Sequence, residues 1–472
     1  MPLAKRDLVA RDARWKTHRV SRSTVDADLT SREDDRPIRV RQLVPVFASA
    51  KARLPTVHLD TRPVHLGREP AGEVAFLVDD DEASRQHAMV VLDAERDAWL
   101  VVDQASRNGT FVDGARVERA ELRHGSVIRV GRSLLVFVDV ELAAGAALAP
   151  ETPGLLGHSI SMQRLRAEIA LVAPRDLAVL VLGETGAGKE NVAAQIHLAS
   201  GRTGAFVPVN CASIPATLAD STLFGHAAGA FTGAVGPTEG LFARADRGTL
   251  FLDEIGELPA DVQPKLLRAL ATGEIRPLGR TETRRVDVRV IAATHRDMRR
   301  QVDEGAFRSD LFGRLSSWEL PVPALRDRKD DILRLTHALL KRHGHDVSLT
   351  RGAAEALLVA GWPRNVRELE HVVVAAAIRA AADGRIRLEH LPDAISSQVK
   401  GPNEARSRSR TSSELPLALV VAPHVVPSRE ALERALLHFQ GSVAEVAAYF
   451  GKDRKQIYRW MERHGVQRRP LG

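Results

Sequence analysis

The chain has almost no cysteine and no long apolar run, and each shortage narrows the field. One cysteine in 472 residues, Cys211, excludes an intramolecular disulfide and a cysteine-based metal cluster, a usage that fits a reducing compartment. No apolar stretch approaches the length of a membrane span; the longest candidate near the C-terminal end, Leu415 to Val426, is broken by Pro416 and Pro423. The first residues, MPLAKRDLVARDARWK, carry charges where a signal peptide needs an apolar core, so a cytoplasmic protein without membrane association is expected. What the chain does have is 44% hydrophobic residues, ample for buried cores, and a length that suggests roughly three domains. A formal charge of +7 is compatible with nucleic-acid binding without establishing it.

The stretch around which the rest is organised is Leu177 to Glu190, LAVLVLGETGAGKE. A short apolar run of the kind that forms a buried parallel strand leads directly into Gly183, Gly186, Gly188 and Lys189. Strand, glycine-rich loop and helix in that order suit a phosphate-cradling loop, in which backbone N–H groups turn toward the phosphates and the lysine reaches them. Glu190 stands where a Ser or Thr usually holds Mg²⁺. Downstream, Arg247 to Glu254 reads as a second buried strand ending in two carboxylates. At the carboxyl end of a strand, Asp253 suits Mg²⁺, directly or through water, and Glu254 suits orientation or deprotonation of the attacking water. A third strand, Val286 to Ala293, ends at Thr294-His295, where a polar side chain could sense the γ-phosphate.

Residues 1–41 are rich in Arg, Asp and Ser and are expected to be disordered. Residues 42–142 change to short alternating segments, Ala88 to Leu92, Trp99 to Val102, Ser126 to Val130 and Leu134 to Val138, separated by turn signals such as Asn108-Gly109 and Asp113-Gly114. That pattern predicts an all-β sandwich. Gly67-Arg68, Ser84-Arg85-Gln86-His87 and Asn108-Gly109 fall in its loops and offer a phosphate-sized set of donors. Their order and spacing resemble the forkhead-associated (FHA) domain, which binds phosphothreonine peptides. The resemblance implies that Arg68, Ser84 and Arg85 contact the phosphate, that Asn108 holds the peptide backbone and that His87 braces the loop.

Residues 143–154 have the Ala, Gly and Pro content of a flexible linker. Beyond them strands and helices alternate, which signals a parallel sheet flanked by helices. Leu223 to Ala234, LFGHAAGAFTGA, is glycine-rich with one aromatic, Phe231, and lacks the periodicity of a core segment. GAFTGA at 229–234, with GETGAGKE at 183–190 and GTLFLDE at 248–254, resembles the AAA+ domain of the sigma-54-dependent transcriptional activators, over residues 155–392.

That resemblance implies an α/β P-loop ATPase with a helical lid at about 328–392, and a phosphate loop ending in GKE. Gly183, Glu184, Thr185, Gly186, Ala187, Gly188, Lys189 and Glu190 would bind ATP, with Thr294 and the second-sensor Arg367 also at the nucleotide. Asp253 and Glu254 would be the Walker B pair, with Mg²⁺ on Asp253, and Asn210 would switch the catalytic glutamate. Arg308 and Arg314 match arginine fingers that reach a neighbouring subunit's nucleotide, so hydrolysis would require a homo-oligomeric ring, a hexamer. Gly229, Ala230, Phe231, Thr232, Gly233 and Ala234 would press on the sigma-54 RNA polymerase holoenzyme. Thr222, Ala227, Ala228, His295 and Arg364 depart from the family's usual residues, and His295 replaces the first sensor's Asn.

Residues 393–427 read as a second linker. The last segment, 428–472, shows three helix patterns: Ala431 to Phe439, Val443 to Phe450 and Asp453 to Arg463. Val446, Ala447, Phe450, Ile457 and Met461 can form one small core, leaving Arg454, Lys455, Tyr458 and Arg459 outward. This all-α helix-turn-helix plan resembles the Fis-type domain and implies binding to upstream enhancer DNA. No aspartate-phosphorylated receiver pattern precedes residue 150. The multidomain chain is thus expected to be a transcription activator whose ATP hydrolysis opens the sigma-54 polymerase complex under control of a phosphothreonine protein.

Overall fold

Alternating β-branched and polar residues give residues 38–142 a face to bury and a face to leave in water. In the computed structural model the described residues are 37–48, 55–78, 80–231, 234–399, the single positions 429, 432, 436, 443, 446 and 447, and 454–466. The tail 1–36, Thr232 and Gly233 of the GAFTGA loop, the linker beyond residue 399 and most of the first two C-terminal helix patterns lie outside them. The chain divides into two units, 1–401 and 402–472.

Eleven strands form two sheets that pack as a sandwich around Leu43, Leu66, Phe76, Val90, Trp99 and Phe137. One correction concerns where it begins. The first strand starts at Ile38, inside the expected tail, and pairs antiparallel with Ser133–Leu142. Arg39 and Arg41 obscure the alternation in the sequence; both are ion-paired, Arg39 with Asp97 and Asp139 and Arg41 with the same two carboxylates. Asp113-Gly114 makes the tight turn between Thr110–Val112 and Ala115–Val117, both residues at positive φ.

The second part is a five-stranded, all-parallel sheet in the order Phe206–Asn210, Thr249–Asp253, Arg289–Thr294, Val179–Leu182, Trp318–Pro321. Its central strands are apolar on both faces because helices cover both. The first strand begins at Val179, since Leu177 remains partly exposed. The third begins at Arg289, because residues 284 and 285 are diverted to pair with Glu274–Ile275.

The lid comprises helices Ile332–Arg342, Arg351–Val359 and Asn365–Arg379, and it continues through a helix at Asp393–Ser396 and a turn at Ser397–Val399, past the expected end at 392. Residues 143–154, expected as a flexible linker, are pinned. Arg166 donates to the Ala149 carbonyl, and the Glu151 carboxylate accepts from the Gly157 N–H and pairs with Arg334.

Sandwich and lid share a core: Val127, Leu134 and Val136 of the sandwich cluster with Leu335, Ala354 and Leu358 of the lid. In the second unit Leu432, Leu436, Val443, Val446 and Ala447 bury together with Ile457, Trp460 and Met461 of helix Arg454–His464. Among the described residues no helix is long and apolar enough to cross a membrane.

Trp362 closes the lid's core at 1% exposure, its indole N–H donating to the Leu357 carbonyl at 2.8 Å. Trp362→Ala is expected to cost about 3–5 kcal/mol of lid stability, read as a lower denaturation midpoint in urea.

Candidate functional site

Gly186 and Gly188 both take positive φ, 77° and 104°, and so fold the loop back over the start of helix Lys189–Ala199. That turn places the Lys189 side chain, 6% exposed, beneath the loop. Its ammonium donates to the Gly183 carbonyl at 3.0 Å and lies 3.4 Å from Glu254 Oε1. Glu190 points outward.

Asp253 ends its strand and Glu254 follows in the left-handed region at φ 52°, a strained conformation that turns its carboxylate across to Lys189 and His295. His295 Nδ1 is 2.7 Å from Glu254 Oε2. Burial alone would raise the Glu254 carboxyl, but the His295 hydrogen bond and the Lys189 charge outweigh it and hold it below its ordinary value. Asp253 moves the other way, raised by burial and then by the Glu254 charge. The environment therefore separates two adjacent carboxyl groups, Glu254 moved down and Asp253 moved up. Asp253 Oδ1 is buried with no partner, and such an orphaned acceptor fits a divalent metal.

Asn210 donates to Asp253 at 3.5 Å rather than to Glu254, and its side-chain Oδ1 caps the following turn by accepting the Ala212 N–H. The side chains that engage Glu254 are Lys189 and His295. Thr294 is fully buried, its hydroxyl accepting the Arg296 N–H and its carbonyl accepting the Gly183 N–H, so it braces the loop from behind. Burial, followed by the Asp253 and Glu254 charges, pushes the Cys211 thiol up to about 12, which leaves it inert.

The lid closes directly on the phosphate loop, through two residues that sequence reasoning missed. Glu184 is held by Arg326 at 2.5 Å and by the Asn365 amide at 3.0 Å; those bonds lower its carboxyl to about 2, Arg326 contributing most. Arg364 and Arg367 pack over Gly186, where a Cβ would strike the Arg364 backbone. Arg308 and Arg314 lie elsewhere. Arg308 pairs with Asp310, and Arg314 lines a cavity of about 270 Å³ with Asp176 and Arg289, at the amino ends of the strands. Among the described residues neither arginine is hydrogen-bonded or ion-paired to Asp253 or Glu254; Arg308 is held by Asp310 and Arg314 by the Leu270 carbonyl.

The GAFTGA segment stands on a short ribbon, Gly225–His226 paired with Thr238–Glu239. The Gly229 N–H donates to the Ala234 carbonyl and narrows its neck. Phe231 is 38% exposed and lies edge-on to the His226 ring at 4.9 Å; Ala230 rests near Gly279.

In the sandwich, Gly67 packs so closely on Arg85 that a Cβ would overlap its carbonyl, which brings the Arg68 and Ser84-Arg85 loops together. His87 is fully buried, its Nδ1 accepting the Ser84 N–H at 3.0 Å and its Nε2 donating to the Gly109 carbonyl at 3.2 Å. Burial lowers its pKa, which keeps the imidazole neutral. Arg68, Arg85 and Asn108 are exposed, and Ser84 Oγ accepts the Arg107 N–H. Asn108 donates to the Glu82 carbonyl at 2.7 Å. In the second unit Arg454, Lys455, Tyr458 and Arg459 are all exposed on one helix face.

His295→Ala frees the Glu254 carboxylate and is expected to lower kcat for ATP by about 10- to 100-fold with little change in KM, and His295→Asn should restore most of it. A steady-state ATPase assay checks both.

Residues 155–321 match the sigma-54 interaction domain family, residues 326–408 the AAA+ ATPase lid domain and residues 64–131 the FHA domain. The nitric oxide reductase transcription regulator NorR1 of Cupriavidus necator is 40% identical over 378 residues, 76% of this chain and 74% of that protein. The anaerobic nitric oxide reductase transcription regulator NorR of Klebsiella pneumoniae is 41% identical over 334 residues, 68% of this chain and 64% of that one. Among solved structures, NtrX from Brucella abortus in complex with ATP aligns with a TM-score of 0.51 at 31% identity, covering 66% of this chain and 69% of that chain. With the phosphate loop, carboxylate pair and lid in place, this degree of likeness over most of both lengths means that the chain belongs to the NorR-like sigma-54-dependent transcription regulators, an AAA+ ATPase family.

Proposed function

We propose that this chain activates transcription by using ATP hydrolysis in a hexameric ring to remodel the sigma-54 RNA polymerase closed complex into the open complex. A phosphothreonine protein controls the ring and the C-terminal helix docks it on enhancer DNA. The observation that carries the reading is a glycine-rich segment bearing the exposed Phe231, carried on a short ribbon of the same domain as the phosphate loop and carboxylate pair.

In the catalytic cycle Lys189 binds the terminal phosphates, exchanging its Glu254 contact for them. Glu254, held ionised, orients the attacking water and takes its proton. Mg²⁺ on Asp253 would supply charge neutralisation at the β and γ phosphates. Arg308 and Arg314, neither of them bonded to Asp253 or Glu254 of its own chain, serve the neighbouring subunit's nucleotide, which makes assembly a condition of hydrolysis. Retraction or extension of the 227–237 ribbon then transmits the nucleotide state to sigma-54.

Arg68, Ser84 and Arg85 would bind the phosphate of a phosphothreonine peptide and Asn108 its backbone, supported by the convergence of their loops over the His87 brace. The outward face of helix Arg454–His464, with Arg454, Lys455, Tyr458 and Arg459, suits entry into a major groove.

Phe231→Ala or Thr232→Ala is expected to retain ATPase activity while abolishing promoter opening by sigma-54 polymerase in vitro; open complexes at native levels would overturn the reading. Arg85→Ala should weaken phosphothreonine-peptide binding by roughly 10- to 100-fold in fluorescence anisotropy, the loss of one charge-assisted contact.

A further inference from the structure

The phosphopeptide loop of the sandwich is bolted to the ATPase lid. Glu82, two residues before Ser84, places one carboxylate oxygen on Arg132 at 2.9 Å and the other on Arg351 of the lid at 2.8 Å. Arg351 also reaches the Gly131 carbonyl. One helical turn along, Glu355 pairs with Arg129 at 3.0 Å; that guanidinium lies over the Phe111 ring, and both side chains are largely buried. Lys329 near Asp113, and His124 against the Asp327 carbonyl, extend the seam. The Asp113-Gly114 turn seats on Gln398 and Val399.

The lid helix that carries both anchors, Arg351–Val359, runs into the phosphate loop's own latch. Three residues past its end comes Trp362, whose carbonyl accepts the Asn365 N–H, and Asn365 donates to Glu184 and to the Thr185 carbonyl. Trp362 and Asn365 are both non-glycine residues at positive φ, 50° and 52°. Backbone strain is therefore placed at the joint between the sandwich-anchored helix and the nucleotide loop.

The clasp is open to competition from the phosphopeptide side. Asn108, whose amide would hold a bound peptide's backbone, is spent on the Glu82 carbonyl. Arg68, which would take the phosphate, lies 3.9 Å from Asp81 in the same loop. Peptide capture draws on both contacts that steady residues 81 and 82, and it brings a dianion beside a loop already carrying Asp80, Asp81 and Glu82.

We propose that the Glu82–Arg351 contact is a clasp between the phosphothreonine-recognition loop and the AAA+ lid, opened by phosphopeptide capture, so that the lid loosens from the phosphate loop and nucleotide exchange accelerates. The proposal rests on reading residues 64–131 as a phosphothreonine-binding module. By linkage, if peptide shifts the clasp toward its open state, opening the clasp must in turn tighten peptide binding.

The test uses the full chain, fluorescent mant-ADP chased with unlabelled ADP, and the tightest binder from an immobilised phosphothreonine peptide library. The peptide is expected to speed mant-ADP release by about five-fold or more, the lower end of common allosteric couplings. Glu82→Gln and Arg351→Gln should release fast without peptide and bind the peptide more tightly than the native chain; Arg351→Lys should restore slow release. Peptide that binds without changing release, or variants that release as slowly as the native chain, overturn the clasp. A library that yields no phosphothreonine-selective binder overturns the module reading and peptide control together. In that case the two variants' release rates still decide whether the sandwich restrains the lid.

Discussion

The nucleotide site is built around a buried ammonium. Lys189 sits under a loop of glycines with almost no access to water, and a charge so placed has to be paired. Backbone carbonyls supply part of the pairing and Glu254 the rest. The consequences spread outward. Glu254 can reach the lysine because its own backbone takes a strained, left-handed turn, and its second oxygen is then presented to His295. Asp253, one residue earlier, is left with an unpaired buried oxygen, the complement of a metal ion. On the proposed reading a triphosphate entering this site would meet a buried lysine, a carboxylate held below its ordinary pKa and an unpartnered carboxylate oxygen suited to a metal, the preorganisation that phosphoryl transfer requires.

A second theme is the joining of domains by charge. Arg129 and Glu355 each lose solvation at the seam, the arginine lowered and the glutamate raised by burial before their mutual attraction acts. Such a pair contributes modest stability, while loss of either partner strands the other, so it governs register between sandwich and lid. The Glu82 contact, by comparison, is partly exposed and correspondingly weak. A seam with one buried and one exposed ion pair has a fixed point and a releasable one.

Much of this was legible in the chain. The phosphate loop showed itself because Gly186 and Gly188 occupy backbone conformations that side chains disfavour, and the Asp253-Glu254 strand because parallel strands buried on both faces are continuously apolar. His87 was readable as a brace, and its two ring nitrogens hold the loops on either side. What could not be read were partnerships across long separations. Arg326 meets Glu184 across 142 positions, and Arg351 meets Glu82 across 269; a lone arginine on a helix carries no signal of its partner. The start of the sandwich was misplaced because the arginines at 39 and 41 look like tail composition until their carboxylate partners are seen. Asn210 and His295 show the same limit at short range: Asn210 is expected at the catalytic glutamate and bonds Asp253, while His295, expected to sense the γ-phosphate, holds Glu254.

We propose that a neighbour finishes each catalytic site: Arg308 is paired with Asp310, Arg314 lines a cavity at the amino ends of the strands, and neither is bonded to Asp253 or Glu254. Mixing Lys189→Ala chains, which lack the phosphate ligand but carry intact arginines, with Arg308→Ala chains, which have the opposite defect, tests it most directly. The account predicts ATP hydrolysis in the mixture well above the sum of the two proteins alone; a mixture that hydrolyses no faster than that sum would contradict it.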